Sequence, residues 1–239
     1  MQKNLARKAA SGYERVFGFL REQLISGALK EGDVLLAERE LCQQLEVSRP
    51  VLREALRALS IMGVIEIRHG VGSIVSVPDI AVLGDFFSFT LAHKGDAVDE
   101  VMEARIAIEC QAARLAVVRA GISDFERLRR YADEISETIE DPVAGAQADY
   151  DFHMALVEAS SASALCTMYV VVADLLHRSH VDRRVLVSAD RETRQLIIDD
   201  HYRILTTLTQ GDADAAERAV RQHFDIGRAI RMRMSVQRS

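Results

Sequence analysis

Between Glu38 and Val77 the period of the apolar residues changes from helical to alternating, with a breaker residue at each change. Glu38–Leu45 reads as a short helix, and Glu46 and Val47 as a turn. Ser48 is a favourable N-cap for the next helix, and Pro50 is tolerated in its first turn. That helix runs to about Met62, with Val51, Leu52, Ala55, Leu56 and Leu59 on its inner face, and Gly63 ends it. Val64–Ile67 and Ser73–Val77 then alternate as two short strands around the tight turn Arg68-His69-Gly70-Val71-Gly72. Ahead of this stretch, Tyr13, Val16, Phe17, Leu20, Leu24 and Ile25 recur at helical spacing and predict a helix over residues ~11–26, stopped by Gly27. Helix, short helix, tight turn, capped helix and β-hairpin are the parts of a winged helix-turn-helix.

In such a motif the N-terminal part of the second helix of the pair enters the major groove. Ser48, Arg49 and Arg53 occupy those positions here. An arginine can bond bidentately to guanine O6 and N7, while Arg39 and Ser48 are placed to take phosphates. The wing glycines, Gly70 among them, let backbone approach a duplex closely. Isolated, Arg49, Arg53 and Arg57 would read better as a solvated helix face. The complete motif around them reverses that preference. Charge alone does not decide the matter. Residues 1–78 carry 11 basic and 9 acidic side chains, against 19 and 27 in the remainder of a 239-residue chain of net charge -6. A mildly basic front and an acidic back indicate two domains with different partners.

From Pro78 onward strand alternation is absent. Helices are predicted over ~79–93, 97–119, 123–139, 143–159, 162–186, 189–209 and 213–232, broken at Gly95, Gly121, Pro142, Ser160–Ser163 and Gly211. The expected fold is therefore mostly α: a winged helix-turn-helix over 1–77, then an all-α antiparallel helical bundle over 78–239, with the joint at Ser76–Asp79. No apolar run reaches the ~18 residues of a membrane helix, so no membrane partner is expected. The first residues have no apolar signal core, which predicts a cytoplasmic protein. Three scattered cysteines, Cys42, Cys110 and Cys166, fit neither a disulfide framework nor a cysteine zinc site.

The bundle carries a second constellation. Asp149 and His153 are i and i+4 and share a helix face. His201 and His223 lie 10 residues before and 12 residues after Gly211, on two helices joined by the turn at that glycine. At ~1.5 Å per residue both lie ~15–18 Å from the turn, so an antiparallel hairpin makes them level. One carboxylate and three imidazoles suit a divalent transition metal, zinc first, with nickel or manganese as alternatives. Asp149–His153 alone would be an ordinary surface pair; the matching depth of the other two histidines favours a ligand set. His177 and His180 read as a polar patch, and His93 has no evident partner.

The segment AERELCQQLEVSRPVLREALRALSIMGVIEIRHGVGSIV resembles the DNA-binding domain of GntR-type bacterial transcription regulators. The resemblance implies DNA contacts from Arg39, Arg49 and Arg53, with His69 and Gly70 at the wing tip. Ala37 replaces the family's usual serine and removes a side-chain cap worth ~1 kcal/mol. Pro50-Val51 replaces Thr-Pro and removes a hydroxyl. Glu103-Ala-Arg105-Ile-Ala-Ile-Glu109, Asp149-Tyr-Asp-Phe-His153, and His201-Tyr-Arg-Ile-Leu followed by His223 resemble the FCD-type ligand-binding domain of the FadR subfamily. In its metal-containing members the matching positions hold the ion, and the position of Arg105 helps bind an effector carboxylate. That disfavours an acyl-CoA and favours hydroxy acids, keto acids, sugar acids or dicarboxylates. On spacing alone, an Arg105–Glu109 salt bridge is an equal reading.

These observations predict a homodimeric, effector-responsive transcription regulator, a repressor by default, that binds a short palindrome in double-stranded operator DNA and is nucleoid-associated when bound. A small carboxylate is its expected effector. The alternative is a metal-dependent hydrolase or lyase with a DNA-binding appendage. That reading needs a general base near the metal, for which Asp151 and Asp200 are the neighbours in sequence.

Overall fold

The computed structural model describes residues 11–78, 80–91 and 97–237. Residues 1–10 of the expected front domain, Asp79 of the expected joint, His93, and the side chains of His177 and His180 lie outside the described residues. The chain divides into two compact units between Val82 and Leu83.

In the first unit, α1 (Gly12–Ile25) opens on a capping box. The Ser11 hydroxyl accepts from the Glu14 amide, and the Glu14 carboxylate accepts from the Ser11 amide at 2.6 Å. Its buried face is Val16 and Leu20. Helix α2 (Glu38–Gln44) starts at Ala37 without a side-chain cap, and α3 (Arg49–Ile61) follows after Leu45–Ser48. Glu46, in the turn between them, has φ 50, and its carbonyl accepts from the Arg15 guanidinium at 2.9 Å. Ser48 stands at the N-cap position of α3, but its side chain caps nothing. That corrects the expected role and leaves the hydroxyl exposed. Val16 and Leu20, Leu41, and Leu52, Ala55, Leu56 and Leu59 form one core, closed by Leu35, Val47, Ile65 and Val75.

The wing pairs β1 (Ile65–Arg68) with β2 (Gly72–Val75) in antiparallel register, Ile65 opposite Val75 and Arg68 opposite Gly72. The ladder is shifted from expectation. Arg68 and Gly72 belong to it, which shortens the turn to His69-Gly70-Val71. Gly70 permits this with φ +79, a left-handed conformation that costs other L-residues ~1–2 kcal/mol. Val34 adds an isolated antiparallel bridge to Ile74 on the other edge.

From Ala81 onward the described elements are helices: α4 (Ala81–Leu91), which starts at the end of the first unit, α5 (Ala97–Arg119), α6 (Ile122–Glu137), α7 (Pro142–Ala159), α8 (Ser163–Ala189), α9 (Arg191–Thr209) and α10 (Ala213–Gln237). Asp141 and Asp190 cap α7 and α9 through the amides of Val143, Ala144 and Thr193. Short turns return α7 on α6, α8 on α7, and α10 on α9, while α5 packs against α7, α8 and α10. The core runs through this set, from Ile106 and Ala113 to Leu128, Ile135, Phe152, Leu156, Ile204, Leu208, Val220 and Phe224. Among the described residues, no helix is long and apolar enough to cross a membrane.

Candidate functional site

The first unit presents its basic residues outward. Arg49 is the first residue of α3, and Arg53 lies one turn further on. Both are exposed, as are Arg39 on α2, Ser48, and His69 and Gly70 at the tip of the wing. Arg53 pairs with Glu38 at 2.9 Å across the α2–α3 corner. Exposed pairs contribute little to stability, so water or a phosphate can replace Glu38 there at small cost. Next to the wing tip Arg68 pairs with Glu66 at 2.7 Å. A Cβ on Gly70 would meet open space, so the requirement for glycine there comes from φ and not from crowding within the chain.

In the second unit α7 carries Asp149 and His153 on one face, α9 carries His201, and α10 carries His223. All four are buried. One ligand atom from each lies within 4.8 Å of all the others. The level placement expected for His201 and His223 is seen, with ring centroids 4.7 Å apart; the His153 ring is 4.8 Å from His223 and 5.6 Å from His201.

Each histidine is tied at Nδ1 to an acceptor behind it. His153 donates to Glu109 Oε2 at 2.5 Å, His201 to the Ile197 carbonyl at 2.7 Å, and His223 to Asp200 Oδ2 at 2.7 Å. These acceptors carry no proton to give, so each Nδ1 holds a hydrogen and Nε2 is the nitrogen turned toward the centre. His153 Nε2 and His201 Nε2 are buried with no hydrogen-bond partner. Asp149 Oδ1 approaches His201 Nε2 to 3.3 Å, without the angle of a hydrogen bond. Burial pushes the His153 imidazolium down, and with the neighbouring His201 and His153 it takes His223 to about 3. Imidazoles with outer nitrogens anchored and inner nitrogens converging beside a carboxylate suit a divalent metal as donors with their outer shell in place. The residues therefore fit a metal.

Arg105 reaches the same centre from α5. Its Nε donates to Glu109 Oε1 at 2.5 Å, and both side chains are buried, so the salt-bridge reading of this pair is realised in the core. The guanidinium carbon lies 5.3 Å from the Phe224 ring centroid and 5.7 Å from that of Tyr169. Burial would raise the Glu109 carboxyl, but Arg105 and His153 override it and hold it at about 2. The Tyr169 hydroxyl is fully buried without a hydrogen-bond partner.

Three participants were not legible in these roles. Glu109 appeared only as a partner of Arg105, whereas it also orients His153. Asp200 was a candidate base, whereas it is bound to His223 and Arg203. Tyr169 carried no polar signal within the apolar run Met168-Tyr-Val-Val-Val-Ala173. Asp151, the other candidate base, accepts from Gln147 at 3.0 Å and is not among the four ligands.

Comparison with known proteins decides the lineage. The model of bacterial regulatory proteins of the gntR family matches residues 12–75, and that of the FCD domain matches residues 100–226. The chain belongs to the GntR family. Its FCD domain places this GntR protein among the regulators that join a DNA-binding head to an effector-binding helical domain, and the FadR-like subfamily fits. The HTH-type transcriptional regulator LutR of Bacillus subtilis is 30% identical over 200 residues, covering 83% of this chain and 91% of LutR. The HTH-type transcriptional repressor NanR of Citrobacter rodentium is 30% identical over 227 residues, covering 92% and 85%. A solved GntR structure from Streptococcus agalactiae shares the fold, with a TM-score of 0.67 at 22% identity over 92% of this chain and 100% of that one. The GntR relatives are transcription regulators and not enzymes, and this chain is one of those regulators. FCD domains bind a metal in some members, and this one has a His/Asp cluster suited to it.

Proposed function

We propose that the protein is a homodimeric repressor that releases or retargets a short palindromic operator when a small carboxylate reaches a zinc site in its helical domain. The observation that carries this reading is the convergence of Asp149, His153, His201 and His223 within 4.8 Å, with every histidine anchored from behind. Zinc is favoured by three imidazoles and one carboxylate, with nickel or manganese as alternatives. Bound there, a divalent ion supplies coordination positions for the oxygens of an acid. Arg105, itself within the buried network, takes the carboxylate charge. The effector class is therefore hydroxy acids, keto acids, sugar acids or dicarboxylates.

On the other unit, Arg49 and Arg53 read base edges, and Arg39 and Ser48 hold phosphates. His69 and Gly70 place the wing beside the backbone. Two identical heads require symmetric half-sites, which makes the operator palindromic. Its place of action is the cytoplasm, on the nucleoid when DNA-bound. An acid changes DNA affinity only through a difference in its affinity for the DNA-competent and DNA-incompetent states.

The test combines three measurements on the full chain: metal content after purification, a thermal-shift panel of the four acid classes with and without a chelator, and titration of an operator obtained by sequence selection. The expected result is close to one zinc per chain, at least one acid that stabilises only the metal-loaded protein, and a change in operator affinity with that acid. A protein that excludes zinc, nickel and manganese, or that responds to acids equally after chelation, refutes it.

A further inference from the structure

Glu109 bonds two groups at once, one with each carboxylate oxygen. Its Oε1 accepts from Arg105 Nε and its Oε2 accepts from His153 Nδ1, each at 2.5 Å. All three side chains are at most 1% exposed. Water therefore does not screen the chain of hydrogen bonds, and a change at one end is felt at the other.

We infer that Glu109 is a positioning residue that couples the metal site to Arg105, so that whatever draws Arg105 away from Glu109 tightens the metal. This inference rests on the metal reading of Asp149, His153, His201 and His223. A carboxylate shared between two donors gives less negative charge to each. When the guanidinium is engaged elsewhere, Glu109 accepts more strongly from His153 Nδ1–H. The imidazole then becomes more electron-rich at Nε2, which is how an outer carboxylate raises the basicity of a histidine ligand. In the opposite direction, an ion at Nε2 makes Nδ1–H a stronger donor and draws Glu109 charge away from Arg105. Arg105 is then less neutralised and better able to pair with the carboxylate of an acid. Because coupling between two binding events is reciprocal, the factor by which an acid tightens the metal equals the factor by which the metal tightens the acid.

The relay is testable with the metal alone. Zinc affinity of the full chain, measured by competition with a chromogenic chelator, is compared among wild type, Arg105→Met, Glu109→Gln and the double variant, each checked for folding by far-UV circular dichroism. Glu109→Gln is expected to loosen zinc by ~10–100-fold, the usual effect of removing an outer-shell partner. Arg105→Met is expected to tighten zinc by at least about five-fold, the low end of ordinary coupling between sites. The decisive expectation is that Arg105→Met has no such effect in the Glu109→Gln background.

A purely structural role for Arg105 predicts looser or unchanged zinc binding, and either result overturns the relay. Equal tightening in both backgrounds also overturns it, because relief of charge repulsion through space does not need Glu109. Should Arg105→Met fail to fold, Arg105→Gln, which keeps a donor and loses the charge, runs the same cycle. Should Glu109→Gln fail, Glu109→Asp, too short to span both partners, replaces it. Wild-type protein that takes up no zinc removes the metal reading and the relay together. Wild-type protein that binds zinc but shows no Glu109-dependent effect of Arg105 removes the relay alone.

Discussion

Replacing His201 by leucine separates a metal ligand from a core histidine. His153 Nε2 and His201 Nε2 are buried without hydrogen-bond partners. Each such atom costs ~1–3 kcal/mol. An ion relieves both, and zinc held at 100 to 1,000 times its Kd stabilises the folded state by about 2.7–4.1 kcal/mol. For a folding unit of this size, each kcal/mol moves Tm by roughly 2–4 °C, so chelation should lower the zinc-sensitive transition by about 5–16 °C. His201→Leu removes one of four ligands and also one of the two orphan nitrogens. It puts an apolar side chain beside Phe152, whose ring centroid is 4.9 Å from that of His201. The variant should therefore lose most of the chelator response, while in chelator it should melt no lower than chelated wild type. Scanning calorimetry of the full chain with zinc and with excess chelator gives both quantities. A variant that keeps the wild-type chelator shift would show that His201 is not a ligand. A variant that in chelator melts many degrees below chelated wild type would show that the imidazole is held for packing.

Arg49→Ala should weaken operator binding by about 1–3 kcal/mol and relax preference at one guanine, as read by titration of the selected operator and its single-base variants at fixed salt; unchanged preference would remove Arg49 from base reading. Gly70→Val places a β-branched residue at φ +79 and should cost the wing at least ~1–2 kcal/mol, seen as weaker operator binding with unchanged zinc content. Leu52→Ala empties a fully buried position in the core of the first unit and should destabilise it by ~2–5 kcal/mol. Because the second unit has its own core, zinc affinity should survive in that variant even where operator binding is lost, and a joint loss in titrations of the two would contradict independent units.

The parts legible in the sequence were those encoded by local chemistry. Gly27, Gly63 and Gly211 stop helices, and the apolar period turns from helical to alternating after Gly63, so element boundaries came out within a few residues. The largest difference is at the end of α10, which runs to Gln237 rather than 232, and the strand ends moved as well. Whether Arg68 and Gly72 pair or turn goes with the positive φ of Gly70 and of Gly72, which residue identity permits but does not dictate. The His/Asp cluster was legible for a geometric reason. Asp149 and His153 are one turn apart, and His201 and His223 are placed almost symmetrically about a helical hairpin, so regular helices alone bring them level. No such regularity points to the residues behind them. Glu109 meets His153 across 44 positions, and Asp200 meets His223 across 23. Asp200 even neighbours His201 in the chain while serving a histidine on a different helix. Glu109 was recognisable as the i+4 partner of Arg105, and that local explanation was sufficient, so nothing in the sequence asked for a second one. A carboxylate has two oxygens, and only packing reveals that the other is used. Where a buried acid has a complete local explanation, its unused oxygen is the place to look for coupling between distant parts of a site.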